Sequence, residues 1–296
     1  MKFNFNHEFT KTYASQFLSF YMLSIIVSSY QPHFFSDLKS NIAETCGIPY
    51  EIIKIHNPGT MGICQAYNLG AKQAKFRNLL FIHEDILFVN KGWGEKLVET
   101  LQIPDCGIVG VAGGNYYSHI PATWSNKGYN SVNFIQVVSQ IEQYHSNFGK
   151  KSERKKVKGI DGVLLACKKN IFDEFKFNEE IRGYHGYDLI FSLSVAKKYT
   201  NYITNEILIK HFSSGNFSKE WFENILKVRE IIGTFQDQKT DQKVERENFY
   251  KFIFYLKNFN YSQKDSFKIA IKYINLKKFG VINSLKMIYQ LKHLVY

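Results

Sequence analysis

Three consecutive polar residues, His83, Glu84 and Asp85, interrupt an otherwise apolar stretch of the chain. The four residues before them, 79–82, are uncharged and apolar, and apolar residues resume at Ile86. A short uncharged run of this kind indicates a strand buried on both faces, as in a parallel sheet. Open α/β sheets bind ligands beyond the carboxyl ends of their strands, which is where these polar residues fall. A carboxylate placed there can hold a hard cation, which in turn holds phosphate oxygens.

Three further polar residues occupy positions of the same kind. Asp161 stands alone at the start of an apolar stretch, Asp188 begins a segment with helical apolar spacing, and His211 follows a predicted strand. A positioned carboxylate can take the proton of a hydroxyl nucleophile. The alternatives are structural, because Asp is a favoured helix N-cap and a His-Glu-Asp triplet also suits an ordinary polar loop. Single residues leave both interpretations open.

The order of the predicted elements favours a doubly wound α/β sheet with short connections. No G-x-G-x-x-G follows the first strand and no G-x-x-x-x-G-K-[ST] occurs, which argues against a dinucleotide dehydrogenase and a P-loop protein. Strands are predicted at 23–27, 50–55, 79–82, 133–138, 161–167 and 202–209, and helices at 35–46, 63–74, 93–101 and 169–175. A glycine-rich strand and turn is predicted at 107–114, and a solvated mobile loop at the basic run 150–158.

Composition and charge indicate a globular protein with an anionic partner. The 296 residues are 45% hydrophobic and 16% aromatic, which suits one large domain, or a domain with an appendage. The net charge of +12 points to a phosphate ligand, a membrane surface or nucleic acid. No apolar stretch reaches the ~20 residues that span a bilayer, and 17–27, after an unassigned lead-in at 1–16, predicts a buried strand rather than a signal peptide. The cysteines are isolated, which favours reduced thiols in a cytosolic protein: Cys46, Cys64, Cys106 and Cys167.

The chain changes character after residue 216. Residues 218–235 predict a helix with Ser218 as its N-cap, and residues 236–248 predict a polar linker. The remaining residues carry nine lysines and one acid, Asp265, and so hold +8 of the net charge. Their apolar residues recur at helical spacing, which suits either basic amphipathic helices on an anionic membrane or a packed helical cap with a solvated lysine face. Both interpretations remain open, whereas nucleic acid is disfavoured because no reader motif occurs.

Taken together, five stretches in order resemble the family 2-like glycosyltransferases with the GT-A fold. The branch that they match best is the one named for a streptomycin-biosynthesis domain, and the resemblance covers residues 22–216. The resemblance implies a GT-A type, mixed but mainly parallel sheet flanked by helices. It also implies a nucleotide-sugar-binding catalytic domain at 1–216, followed by a basic helical extension at 217–296. The five stretches are 24–27, 66–71, 81–85, 161–166, and 185–188 together with 211–215.

The resemblance also implies roles for individual residues. Asp85 matches the metal-binding carboxylate of a D-x-D motif, His211 matches a later metal ligand, and the cofactor is Mg²⁺ or Mn²⁺. Asp188 matches the general base. Where the family has a nucleotide-pocket carboxylate after the second strand, this chain has His56-Asn57. The implied donor-binding residues are Ser28, Asn57, Asn68, His83, Glu84 and Asp85, and the acceptor-side residues are Asp161, Gly162 and His185.

We therefore expect a metal-dependent, inverting glycosyltransferase that moves a sugar from a nucleotide-sugar to an acceptor hydroxyl. The acceptor is expected to be a glycan, a lipid-linked glycan or a small molecule, in the synthesis of a surface glycan or a glycosylated metabolite. The expected location is the cytoplasm, with residues 249–296 as a contact to the inner face of the membrane. The alternative is a non-catalytic GT-A-like module that binds nucleotide or sugar, or associates with membrane. His83 in place of the first carboxylate keeps that alternative open.

Overall fold

The fold is given by a computed structural model that describes residues 21–213, 215, 217–235 and 238–294. The predicted lead-in at 1–16 and the first residues of the stretch 17–27 lie outside the described residues. The strands are β1 (Leu23–Ser29), β2 (Tyr50–His56), β3 (Asn78–Ile82), β4 (Ile86–Phe88), β5 (Cys106–Gly110), β6 (Ala112–Gly114), β7 (Asn130–Val138), β8 (Ile141–Ser146), β9 (Arg154–Val157), β10 (Gly159–Ile160), β11 (Leu164–Lys168), β12 (Thr200–Thr204) and β13 (Ile209–His211). The helices are α1 (Pro32–Thr45), α2 (Ile63–Gln73), α3 (Trp93–Leu101), α4 (Lys169–Phe175), α5 (Tyr187–Val195), α6 (Lys219–Ile232), α7 (Gln242–Asn258), α8 (Gln263–Ile271) and α9 (Leu276–Gln290), followed by a 3₁₀ turn at Leu291–Leu294.

A seven-stranded sheet has the order β2-β1-β3-β11-β5-β12-β9. β1 is parallel to β2 and β3, and β12 is parallel to β5, whereas β11 is antiparallel to both of its neighbours. The predicted mixed α/β sheet is therefore confirmed. The register opposes Val27 with Ile82 and Ser29 with His56, so the carboxyl ends of the first three strands share one edge. The loops that follow these strands must meet there.

A second sheet has the order β10-β6-β7-β13-β4, with β8 paired to β7. β13 runs antiparallel to β4, so that His211 opposes Ile86 and the Phe212 N–H donates to the Asp85 carbonyl at 2.9 Å. The strand predicted at 202–209 is instead two strands, because the chain leaves the first sheet after Thr204 and enters the second at Ile209. This crossing brings His211 beside the loop that follows β3.

Alternating side chains of β1 and β3 belong to two hydrophobic clusters. Ile25 and Val27 pack in one cluster with residues of α1 and α3. Ile26 and Phe81 belong to the other, together with residues of α2, α4 and α5. All four side chains are inaccessible to solvent. The prediction of strands buried on both faces is confirmed, and it explains why the run before His83 has no polar alternation.

The helices of the tail pack against the rest of the molecule. Phe222 of α6 and Phe249 of α7 lie in the same hydrophobic cluster as Phe81 of β3. Glu245 of α7 is fully buried, and its carboxylate accepts hydrogen bonds from the Tyr116 hydroxyl at 2.5 Å and from the backbone of the same loop. The tail is therefore a packed cap, while the division of the chain at residue 216 remains a prediction. None of the described helices is long and apolar enough to cross a membrane.

The helix starts in the tail follow from local sequence. Each helix is preceded by a side chain that accepts a hydrogen bond from a backbone N–H of its first turn, namely Ser218, Asp241, Ser262 and Asn275. The predicted cap at Ser218 is confirmed. The predicted linker at 236–248 is wrong in its second half, because Asp241 caps a helix that begins at Gln242.

The basic run at 150–158 is not a loop throughout. Its residues Arg154–Val157 form β9, which pairs antiparallel with β12 at the edge of the sheet. Arg154 is held there by an ion pair with Glu206, at 2.6 Å between Nη2 and Oε2. The prediction of a mobile loop is therefore wrong for these residues. Positive charge on an edge strand has a physical use, since it discourages pairing with another chain.

Candidate active site

A cavity of about 790 Å³ opens at the sheet edge where the loops after β1 and β3 meet. This volume suits a small-molecule ligand of drug or nucleotide size. Residues of α2 and α6 contribute to its wall. Besides these two helices, six further parts of the chain line it, around Ser28, His83, Trp124, Asp161, Tyr187 and His211.

His83, Asp85 and His211 form a candidate cation site in this cavity. Asp85 Oδ1 lies 3.9 Å from His83 Nδ1 and 3.8 Å from His211 Nε2, and the three ligand atoms lie within 4.8 Å of one another. His211 Nε2 is buried and has no hydrogen-bond partner in the described part of the chain. Burial, and then the neighbouring His83, lower the pKa of His211, so its ring stays neutral and keeps a lone pair. An orphaned imidazole nitrogen beside a carboxylate and a second imidazole fits a divalent metal ion.

The Tyr187 hydroxyl bears on the tautomer of His83, whose Nδ1 is the nitrogen near Asp85. It donates a hydrogen bond to the Gly162 carbonyl oxygen at 3.1 Å, and a carbonyl can only accept. The same hydroxyl lies 2.8 Å from His83 Nε2, and it can make both hydrogen bonds at once only when that nitrogen carries the proton. In the neutral ring the lone pair is then on Nδ1, the nitrogen near Asp85. This tautomer suits His83 to the candidate cation site, and Tyr187 is the side chain that supports it.

The carboxylate of Glu84, which lies between His83 and Asp85 in the sequence, is hydrogen-bonded to backbone N–H groups. Its carboxylate accepts hydrogen bonds from the N–H groups of Tyr30 and Gln31, at 3.2 and 3.1 Å. Gln31 is the N-cap residue of α1 and makes no side-chain cap of its own. A carboxylate at a helix N-terminus is favourable, so Glu84 ties the loop after β3 to the start of α1. Glu84 also lines the cavity, and its predicted contact with the donor remains a prediction.

Asp161 and Asp188 line the same cavity as the cation site. Gly162 N–H donates to Asp188 Oδ2 at 3.1 Å, and Trp124 Nε1–H donates to Asp161 Oδ2 at 3.1 Å. Burial, and then the charge of Asp161, raise the pKa of Asp188 from 3.8 to about 7. A carboxyl group that titrates near neutral pH suits general base catalysis. The N-cap alternative for Asp188 is wrong, because Gly186 holds that position in a left-handed conformation.

Two predicted donor-binding residues, Asn57 and Asn68, are not among the residues that line the cavity. Asn57 is 1% exposed, and its amide bonds to both backbone groups of Met61, at 3.0 and 3.1 Å. Asn68 uses its amide on both backbone groups of Phe177, at 2.9 and 3.1 Å. These contacts hold loops in place. Donor binding by either residue remains a prediction that the observed contacts do not favour.

The other predicted residues reach the cavity. Ser28, Gly162 and His185 all line it. The Ser28 hydroxyl accepts from the Asn57 amide at 3.2 Å and the Tyr184 hydroxyl accepts from it at 3.3 Å, so Asn57 reaches the site through these two lining residues. Burial lowers the pKa of His185, and its carbonyl accepts from the Asn224 amide of α6 at 3.1 Å. His185 is therefore a neutral wall residue positioned by the tail.

Sequence reasoning missed the aromatic residues of the site. Tyr187 lies inside the stretch 185–188, in which only the histidine and the aspartate carry a predicted role. Trp124 lies in a segment rich in aromatics, and nothing local indicates that its indole reaches Asp161. Trp221 of α6 lines the cavity although it falls in the predicted extension. Of these aromatic residues, only Tyr187 could have been predicted from the sequence, because it stands between Gly186 and the candidate base Asp188.

The fold is a mixed α/β architecture with a candidate cation site at the edge of its first sheet, and it can be compared with known proteins. A family model described as "Glycosyltransferase like family" matches residues 24–244. Because this match covers most of the chain, the chain belongs to that glycosyltransferase-like family. Among curated protein sequences none matches the chain.

Two solved structures share the fold at low sequence identity. S. aureus TarS is 11% identical with a TM-score of 0.55, over 92% of this chain and 53% of that one. GalNAc-T7, solved with UDP, GalNAc and Mn²⁺, is 10% identical with a TM-score of 0.52, over 92% of this chain and 54% of that one. The chain thus spans about half the length of either structure. The similarity confirms the predicted GT-A type fold.

Proposed function

We propose that this chain is a metal-dependent, inverting glycosyltransferase that moves a sugar from a nucleotide-sugar to an acceptor hydroxyl. The observation that carries the proposal is the meeting, in one cavity, of the cation cluster and of a carboxyl group with a raised pKa. These are the two chemical functions that the reaction needs. The leaving diphosphate must be neutralised, and the acceptor hydroxyl must lose its proton.

The residues of the chain divide these tasks. His83, Asp85 and His211 would hold Mg²⁺ or Mn²⁺, and a cation there offsets the negative charge that develops on the departing nucleoside diphosphate. Asp188 takes the proton of the acceptor hydroxyl as its oxygen bonds to the anomeric carbon. The bond from that carbon to the diphosphate oxygen breaks in the same displacement, which inverts the anomeric centre. Asp161 contributes by raising the pKa of Asp188.

The biological setting that we propose is the synthesis of a surface glycan or of a glycosylated metabolite. The donor is a nucleotide-sugar, and the acceptor is a glycan, a lipid-linked glycan or a small molecule. GalNAc-T7 was solved with UDP, GalNAc and Mn²⁺, which supports a donor and a metal of these classes. The four thiols are free and buried, which supports a cytoplasmic location, and the basic tail supports the inner face of a membrane.

The test compares two variants and a control in a sugar-transfer assay with Mn²⁺. Asp188→Asn should lose turnover by about 10²- to 10⁴-fold, since it removes the base, and should keep nucleotide binding by calorimetry. Asp85→Ala should lose metal-dependent binding and turnover together. Asp105→Asn changes an exposed carboxylate outside the cavity and should match the unchanged chain. Near-normal turnover of Asp188→Asn would remove the base from the proposal. Nucleotide binding without any transfer or hydrolysis by the unchanged chain would instead favour the non-catalytic module.

A further inference from the structure

The outward side of α9 is apolar. Gly280, with φ of 71°, interrupts this helix, and the chain from residue 281 to residue 290 continues it as one segment. At ~100° per residue, the spacing of its exposed apolar side chains places them along one stripe that covers roughly a third of the helix. These side chains are 48% to 70% exposed: Val281, Ile282, Leu285, Ile288 and Tyr289.

The opposite side of the same helix faces the protein. Ser284 and Met287 have no exposed surface, and Leu291, one turn further on, is 5% exposed. Met287 and Leu291 belong to a hydrophobic cluster that also contains Phe249 and Phe252 of α7. The helix therefore packs on the core through a separate buried side, and the outward stripe is not needed for that packing. A contiguous exposed apolar stripe on a folded chain marks a surface that something covers.

Exposed lysines lie close to the stripe along the chain. Lys286 is exposed on the same segment, and Lys292 is exposed in the 3₁₀ turn that follows it. On α8, the exposed side chains of Phe267 and Ile271 stand one turn apart. The exposed lysines Lys264, Lys268 and Lys272 follow at the same spacing. Residues 249–296 contain a single acid, Asp265, and its carboxylate accepts a hydrogen bond from the Ser262 hydroxyl at 2.7 Å.

We propose that the outer surface of α8 and α9 docks onto an anionic lipid surface. The apolar stripe would enter the boundary between headgroups and acyl chains, and the flanking lysines would contact lipid phosphates. The apolar side chains complement the acyl chains of such a membrane, and the lysines complement its negative charge. A second copy of the chain fits less well, because a symmetric contact would set lysines against lysines. The docking involves no proposed catalytic residue, so it can be tested independently of the proposed transfer reaction.

The test is co-sedimentation of the full chain with vesicles. Phosphatidylcholine vesicles that contain about one-third phosphatidylglycerol should bind the chain, and pure phosphatidylcholine vesicles should bind it far less, with a difference that salt reduces. The double change Ile282→Ser and Leu285→Ser keeps every lysine and should weaken binding by about tenfold or more. Val138→Ser with Ile141→Ser removes two exposed apolar side chains from β7 and β8 and should change nothing. Thermal unfolding checks that both variants fold.

A second variant, Lys286→Gln with Lys292→Gln, should reduce the preference for anionic vesicles, because two of the five flanking lysines are lost while the apolar stripe stays intact. Absence of vesicle binding by the unchanged chain would overturn the proposal. Equal binding of the Ile282/Leu285 variant and the unchanged chain would overturn it as well. A dimer of the unchanged chain that the same variant dissociates, without vesicle binding, would assign the stripe to self-association instead.

Discussion

The hydroxyl of Tyr187 makes the metal site testable through a residue that would not itself touch the metal. Tyr187→Phe removes two hydrogen bonds, one with His83 Nε2 at 2.8 Å and one to the Gly162 carbonyl at 3.1 Å. Each is worth about 1 kcal/mol of folding free energy. More important for the site, His83 loses the acceptor that keeps its proton on Nε2. Loss of such a supporting contact typically lowers metal affinity by about 10- to 100-fold.

Two measurements check this prediction independently of turnover. Titration with Mn²⁺, followed by calorimetry or by the loss of the free-ion electron paramagnetic resonance signal, gives the affinity of each variant. Nitrogen NMR of ¹⁵N-histidine-labelled protein reports the His83 tautomer without metal, and we expect the proton on Nε2. Tyr199→Phe is a matched control. It removes a hydroxyl that bonds to Glu174 at 3.0 Å and is not among the residues that line the cavity.

Gly162→Ala should displace the same Tyr187 hydroxyl by a steric clash. A Cβ on Gly162 would lie 2.0 Å from the Tyr187 hydroxyl oxygen and 2.5 Å from the ring carbon that carries it. The Tyr187 ring is buried against Tyr67 and Phe177, so it cannot swing away freely. Overpacking of this kind costs about 1–3 kcal/mol.

The reasoning about Tyr187 fails if Tyr187→Phe binds Mn²⁺ as tightly as the Tyr199→Phe control, or if the His83 proton lies on Nδ1 in the unchanged chain.

Three further predictions concern carboxyl groups. Turnover should fall as pH drops through about 7, where Asp188 takes up a proton, and Asp161→Asn should move this limb of the pH profile to lower pH, because it removes a charge that raises the pKa. The same raised pKa means that the folded chain holds this proton more tightly than the unfolded chain. Its stabilising contribution is therefore complete below pH 3.8 and lost as pH rises through about 7, and urea titrations of Asp188→Asn should lack that decline. Glu84→Gln should lower the unfolding temperature by roughly 2–4 °C, since it removes a charged acceptor from two backbone amides, and calorimetry that shows no change would assign those amides another partner.

Local patterns were enough to predict the first half of the fold. The uncharged runs that became β1 and β3 could only be strands buried on both faces, and polar residues directly after β3 had to stand at its carboxyl end. The motif residues Asp85 and Asp188 therefore reached one cavity, as expected. Asn57 and Asn68 did not, because an amide next to a strand end serves a turn as readily as a ligand. Residue type alone cannot distinguish these uses.

Long-range pairing was beyond the reach of local patterns. β9 lies within a basic run that has no strand signal, and only its partner β12 makes it a strand. The second sheet sets His211 beside Asp85 through the pairing of β13 with β4, each three residues long. Strands this short carry too few residues for a period-2 pattern to be recognised.

The tail shows most clearly why a site cannot be assigned to the motif-bearing residues alone. Glu245 of α7 has no exposed surface, and it holds the loop after β6 through the Tyr116 and Ser118 hydroxyls. That loop continues to Trp124, whose indole N–H donates to Asp161. Asp161 in turn raises the pKa of Asp188. A buried carboxylate in the extension is therefore connected, contact by contact, to the candidate base. The extension therefore helps to position the surroundings of the candidate base, and we expect its removal to lower turnover whether or not its outer surface docks onto a membrane.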